Sequence, residues 1–302
     1  MRWVKKTIQY WCDDIIEEKH LGSGIRVGIL DTGIVVHPDL QRRICEFRDF
    51  TCNRQRTCYD DSGHGTHVAG ILAGEGRASR GMYSGIAPDT DLFIGKVLDR
   101  YGNGNVEDVL NGIQWMLSLK REKNLKIVNI SVGAQPDLGE EQKKKFLDAV
   151  DEMWDAGLTV IVSAGNYGPS AGSIAVPGNS RKVITVGVPD SFRYNRNYRK
   201  KTDYSGRGPT SECIIKPDVF APGTGIVSCN SRFSEKGEPF YVMKSGTSMA
   251  TPVISGAIAC LLSKYPDMTN VEIKLRLRET CVDYPGTEAG WGLLNVKKLM
   301  NA

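Results

Sequence analysis

Five short apolar segments recur along the chain: IRVGIL (25–30), DLFIGKVL (91–98), KIVNISV (126–132), TVIVSAG (159–165) and VITVGV (183–188). Each is rich in β-branched residues and nearly continuous in its apolar character, as a strand buried on both faces must be. Helical patterns lie between them. One begins near Val68, one follows Asn105 and one covers roughly 140–156. This alternation predicts an α/β fold built on a doubly wound, mostly parallel sheet. A further apolar helix is expected from Ser248 to about Lys264, stopped by Pro266, and Thr269 with Glu272 reads as a capping box opening a last helix. No internal repeat, low-complexity tract or linker interrupts the pattern. The expected organisation is a single domain over 21–302, preceded by a helical segment (1–20) that packs on its core. Within that segment Trp3, Val4, Ile8, Trp11, Cys12, Ile15 and Ile16 fall on one helical stripe.

Composition removes several classes of function. A chain of 302 residues with 40% hydrophobic and 25% charged residues is neither disordered nor fibrous. A net charge of +4 over this length is too weak to point to nucleic acid. No apolar run approaches the ~18 residues that span a bilayer, so no membrane partner is expected. The opening stretch, MRWVKKTIQYWCDDIIEEKH, is broken by Gln9, Asp13 and Asp14 and does not read as a signal peptide. The expectation is a cytoplasmic protein. Its eight cysteines are then free thiols. Zinc spacing is absent, with no C-x2-C and four His in all. Cys52 and Cys58 are the one pair close enough in sequence to cross-link a loop. Arg193, Arg196, Arg199, Lys200 and Lys201 cluster in one stretch. They read as a solvated loop, with a patch attracting acidic substrates or a partner as the sharper alternative.

Four positions carry chemistry. Asp31 follows the first strand directly, and ligands of open parallel sheets bind at the carboxyl ends of strands. Asp31-Thr32-Gly33 and Asp61-Ser62-Gly63 also echo the aspartic-protease pattern, but 30 residues apart they are too close to come from two like lobes. His64 opens HGTHVAG. A metal pair with His67 lacks both the H-E-x-x-H glutamate and a third ligand, so His67 reads as a buried structural residue and His64 as the functional one. Ser248 stands in GTSMATP at the start of the apolar helix. Small neighbours let a substrate approach, and the helix start offers N–H groups to a developing oxyanion. Asn166 ends SAGN after a strand, where its amide could donate to the same oxyanion. A serine nucleophile needs a base, and the base needs a carboxylate to fix its tautomer.

ILDTGI around Asp31, HGTHVAG around His64, SAGN at Asn166 and GTSMATP around Ser248, in that order, resemble the motifs of the subtilisin family of serine proteases. The resemblance covers residues 20–296. Around Lys96-Val97-Leu98, Ile113-Gln114-Trp115 and 203–210 it is most similar to the AprX-type intracellular subtilases of bacteria. It implies a sheet of about seven strands with helices on both faces, and peptide-bond hydrolysis through an acyl-enzyme that needs no cofactor. By position, Asp31 would orient the base, His64 would be general base then acid, Ser248 the nucleophile and Asn166 the oxyanion donor. The resemblance further implies a groove for an extended peptide or protein substrate. Ser131, Val132 and Gly133 would form one side and Gly102, Asn103 and Gly104 the other. Ser163, Ala164 and Gly165 would wall the first specificity pocket, with Tyr167 at its rim. These small, uncharged walls suit a large apolar residue before the cleaved bond.

The sequence departs from the secreted members in two respects. Neither a signal peptide nor a long propeptide is expected, since the stretch ahead of the first strand is short and reads as neither. The stretch matching a calcium loop, 74–81, carries Arg77, Arg80 and the single acid Glu75, a poor set for a hard cation. Asp39 matches a family calcium ligand but alone reads as structural, so no strong calcium site is expected. A broad endopeptidase is the leading reading. A narrow processing peptidase that removes leader peptides, and a silent peptide-binding pseudoprotease, are the alternatives.

Overall fold

The five apolar segments are neighbouring rungs of one parallel sheet. In a computed structural model, residues 1–51, 53–131, 133–134, 138–189 and 204–302 are described. Val132, Cys52 and the basic stretch from Arg193 to Lys201 lie outside them. The strands are β1 (Arg26–Asp31), β2 (Ile44–Asp49), β3 (Asp91–Lys96), β4 (Ile127–Ile130), β5 (Thr159–Ser163), β6 (Ile184–Gly187) and β7 (Val219–Phe220). Their order is β2-β3-β1-β4-β5-β6-β7, parallel throughout. The expected doubly wound sheet is therefore present, with seven strands. β2 escaped the sequence reading because it is an edge strand and mostly exposed or half-buried, so it never had to be apolar.

The helices are α1 (Arg2–Thr7), α2 (Asp13–Ile16), α3 (His64–Ala73), α4 (Val106–Lys123), α5 (Glu140–Asp155), α6 (Thr247–Lys264), α7 (Asn270–Thr280) and α8 (Val296–Asn301). Alternate strand residues point to opposite sides of the sheet. Gly28 on β1 abuts Met116 and Leu125 at the α4 side. The next register row pairs Ile29 with Asn129, and Asn129 accepts from Ser255 of α6 at 2.9 Å. Helices thus cover both faces. α6 is buried around nearly its whole circumference and packs against α3, β4, β5 and β6. The Thr269–Glu272 capping box opens α7. Among the described residues no helix is long and apolar enough to cross a membrane.

The N-terminal stripe does not run as one helix. Gln9 sits at φ +53° and separates α1 from α2. Val4, Ile8, Tyr10, Cys12 and Ile15 are buried, while Trp11 and Ile16 stay exposed. The break turns the Tyr10 hydroxyl inward, where it donates to the Ile86 carbonyl at 2.6 Å. The seven described cysteines are free thiols, Cys58 among them. A separate antiparallel hairpin, β8 (Ile226–Cys229) with β9 (Tyr241–Lys244), leads into α6.

Candidate active site

Asp31 is the last residue of β1 and is fully buried. Its Oδ1 accepts from the Thr32 N–H at 2.7 Å and meets His64 Nδ1 at 2.7 Å. Its Oδ2 has no hydrogen-bond partner among the described residues. A carboxylate can only accept, so Nδ1 carries the proton and Nε2 keeps its lone pair. Burial pulls the His64 pKa down. The charge of Asp31 and its hydrogen bond more than offset this, and the net shift is upward. Lys244 opposes the rise and Asp60 assists it.

His64 is the first residue of α3, and two features fix that start. Gly65 must be glycine, since a Cβ there would lie 2.2 Å from the Gly33 carbonyl. Asp60, also buried, ties the segment together. Its Oδ1 accepts from Thr32 Oγ1 (2.8 Å), Ser62 N (3.2 Å) and Gly63 N (2.7 Å). Its Oδ2 accepts from Thr66 N (2.8 Å) and Thr66 Oγ1 (2.7 Å). These bonds satisfy N–H groups at the helix start that have no intrahelical acceptor. Lys96, at the end of β3, is fully buried and adds a second tie. Its Nζ donates to the Thr32 carbonyl (2.6 Å), Asp61 Oδ1 (2.8 Å) and the Leu98 carbonyl (2.8 Å).

The sequence reading gave neither Asp60 nor Lys96 a role in the site. For Asp60 a signal existed, an Asp just ahead of a helix start. Lys96 has none, because a Lys closing an apolar strand looks like a solvent-facing end. His67 is buried, and its Nε2 faces the carbonyls of Ile226 (3.1 Å) and Val242 (3.0 Å). Burial, then the charge of Lys244, pulls its pKa down to about 3, so it is a neutral structural group.

Ser248 is the second residue of α6. Asn166 follows β5, and its Oδ1 accepts from Thr247 N (3.0 Å) and Thr247 Oγ1 (3.1 Å). That fixes the amide and leaves its NH2 as the donating end. His64, Asn166 and Ser248 line one cleft of about 410 Å3, with Asp31 buried behind His64. Gly102, Gly104, Ser131, Gly133, Ser163, Gly165 and Tyr167 line it as well. Among the described residues no hydrogen bond joins His64 to Ser248; such bonds often tighten only with substrate bound.

Asn103 and Ala164 do not line the cleft. Asn103 turns its backbone to Asp99, accepting from Asp99 N (2.8 Å) and donating to Asp99 Oδ1 (2.9 Å). Ala164 is fully buried behind the wall and bonds Val186 and Ala175. Leu98, Val109 and Phe146 add an apolar lining that the sequence reading did not name. A larger hollow, about 660 Å3, lies between β2 and α4 and contains none of these chemical groups.

The subtilase family's sequence profile matches residues 22–292. The chain belongs to the subtilase family. It is 40% identical to the serine protease AprX of Bacillus subtilis (strain 168) over 271 residues, 85% of this chain and 61% of that protein. It is 35% identical to a subtilisin of Bacillus sp. (strain TA39) over 285 residues, 90% of this chain and 65% of that one. The chain thus spans less than two thirds of the length of these two relatives. Among solved structures, Sphericase superposes with a TM-score of 0.76 at 30% identity, covering 91% of this chain and 92% of that chain. The S41 psychrophilic protease gives 0.76 at 32%, with the same coverage.

The stretch compared with a calcium loop is arranged around hydrogen-bond donors. Asp39 Oδ1 accepts from the Ala78 N–H (2.9 Å) and Oδ2 from the Tyr241 hydroxyl (2.7 Å). His37 and Cys229 lie near enough to form a ligand cluster with Asp39. His37, however, already accepts at Nδ1 from the Asp39 N–H (3.1 Å) and faces the Phe240 carbonyl through Nε2 (3.0 Å). Each oxygen of Asp39 thus already accepts one hydrogen bond, and the cluster offers a single carboxylate where a hard divalent ion takes about six to eight oxygens.

Proposed function

We propose that the chain is a serine endopeptidase using Asp31, His64 and Ser248 as its triad and Asn166 as an oxyanion donor. Ser248 Oγ attacks the scissile carbonyl as His64 Nε2 takes its proton. The negative charge on the carbonyl oxygen is met by the Asn166 NH2 and the Ser248 backbone N–H. His64, held by Asp31, then protonates the leaving amine, and water repeats the sequence to release the acyl group. The observation that carries the reading is the 2.7 Å bond from Asp31 to His64, opening on a cleft shared with Ser248 and Asn166. The similarity to AprX, named a serine protease, and to subtilisins supports it.

An extended peptide would lie between Gly102–Gly104 and Ser131–Gly133 by strand addition. None of the described lining residues is Asp, Glu, Lys or Arg. This favours large apolar side chains before the cleaved bond, and Leu98, Val109 and Phe146 offer a second apolar contact. The reaction needs no cofactor on this scheme. The decisive experiment is intact-mass analysis after a fluorophosphonate probe, with Ser248→Ala in parallel. One adduct on the native chain and none on the variant is expected. A folded chain that takes no adduct would overturn the reading of an assembled triad open to substrate.

A further inference from the structure

Three lysines are buried among the described residues: Lys5, Lys96 and Lys216. Two have carboxylate partners. Lys96 meets Asp61 at 2.8 Å and Lys216 meets Asp218 at 2.5 Å. Lys5, only 4% exposed, has none. Its Nζ donates to Ser84 Oγ at 2.9 Å and sits over the rings of Tyr10 (4.5 Å) and Trp11 (5.2 Å). A buried ammonium without a counter-charge is costly, and burial pulls this one down to about 8. Lys5 borders a hollow of about 450 Å3 that also receives Arg2 and Arg80. Neither guanidinium has an acidic partner among the described residues. No Asp or Glu lines the hollow, and two largely exposed apolar side chains, Trp11 and Met82, flank it. Three cations, a hydroxyl and an aromatic wall therefore converge where the protein supplies no anion.

We propose that this hollow binds a small anionic molecule, its phosphate or carboxylate held by Lys5, Arg2, Arg80 and the Ser84 hydroxyl and its planar apolar body resting on Trp11. The anion supplies the counter-charge that Lys5 lacks, and Arg80 can grip two of its oxygens at once. The site is distinct from the cleft of His64 and Ser248, and it does not rest on the protease reading. Binding would tie α1 to the turn at 79–84 and so stabilise the folded chain.

The test is thermal unfolding of the full chain with phenyl phosphate, benzoate or sodium chloride at matched ionic strength. Phenyl phosphate or benzoate should raise the midpoint where chloride does not, and the stronger of the two identifies the anion class. Lys5→Met should raise the ligand-free midpoint, because it removes an unpaired buried charge, and should abolish the response. Arg80→Asn, which tolerates the left-handed backbone at this position (φ +50°), should leave the ligand-free midpoint unchanged and weaken binding about tenfold. Equal responses to all three salts would overturn the proposal. So would a response that survives in both variants.

Discussion

Replacing Asp60 with Asn tests how the site is held without touching a reacting atom. The native carboxylate accepts five hydrogen bonds at 2.7–3.2 Å while buried. Asn offers one acceptor oxygen. The better orientation turns its NH2 toward Thr66, whose hydroxyl can rotate to accept. The Thr66 N–H then faces a donor, and one unsatisfied buried N–H costs about 1–3 kcal/mol. The three bonds on the other side fall from charged to neutral strength, roughly 0.5 kcal/mol each. The sum is about 3 kcal/mol. At roughly 2 cal/mol/K of unfolding entropy per residue, 302 residues convert this to a midpoint lower by about 5 °C. On the proposed mechanism kcat falls as well, because Asp60 sets where α3 begins and so where His64 stands. A displacement near 1 Å costs about 10²-fold. A third readout separates placement from general damage. The charge of Asp60 helps raise the His64 pKa, so the acid limb of the pH–rate profile should move to lower pH. Differential scanning fluorimetry and kcat/KM across pH on an uncharged peptide measure all three. A midpoint and a kcat/KM indistinguishable from the native chain's would refute the reasoning.

Asn166→Ala should lower kcat with little change in KM, by roughly 10²–10³-fold, a magnitude taken from the oxyanion Asn of subtilisin itself rather than worked from this geometry; a rise in KM alone would argue against the role. His64 must be neutral to act as base and its pKa is raised, so activity should climb with pH through a midpoint above the ordinary histidine value. Lys244→Met removes a charge that opposes protonation of His64, so it should move that midpoint to still higher pH; a shift downward or none in the same pH–rate series would exclude the electrostatic link. With Asp39 held by Ala78 and Tyr241, the thermal midpoint should be the same in calcium and in chelator, and a rise of several degrees with calcium would show that the loop rearranges to take the ion.

The sheet was legible because burial on both faces leaves a strand no freedom in composition. β1, β3, β4, β5 and β6 each appear in the sequence as an apolar run. β2 and β7 do not. β2 lies at an edge, where exposure removes the constraint, and β7 has two residues, Val219 and Phe220, too few to form a pattern. The N-terminal segment shows the opposite error. Apolar spacing predicted one continuous stripe, yet the backbone turns left-handed at Gln9, and periodicity carries no information about a single dihedral.

The candidate site divides along the same line. Asp31 could be read because it closes an apolar strand, and His64, Asn166 and Ser248 because each stands among small residues that serve close approach; both are local signals. The supports act at a distance. Thr32 accepts from Gly65, 33 positions away, and donates to Asp60, 28 positions away; Lys96 reaches Asp61 across 35. No spacing rule links such partners, since the fold alone brings them together. The same holds for Lys5 and Ser84, 79 residues apart. In the sequence Lys5 is one more cation in a basic opening stretch. Only the folded chain reveals it as a buried charge without a counter-ion, beside two more cations that have no acidic partner among the described residues.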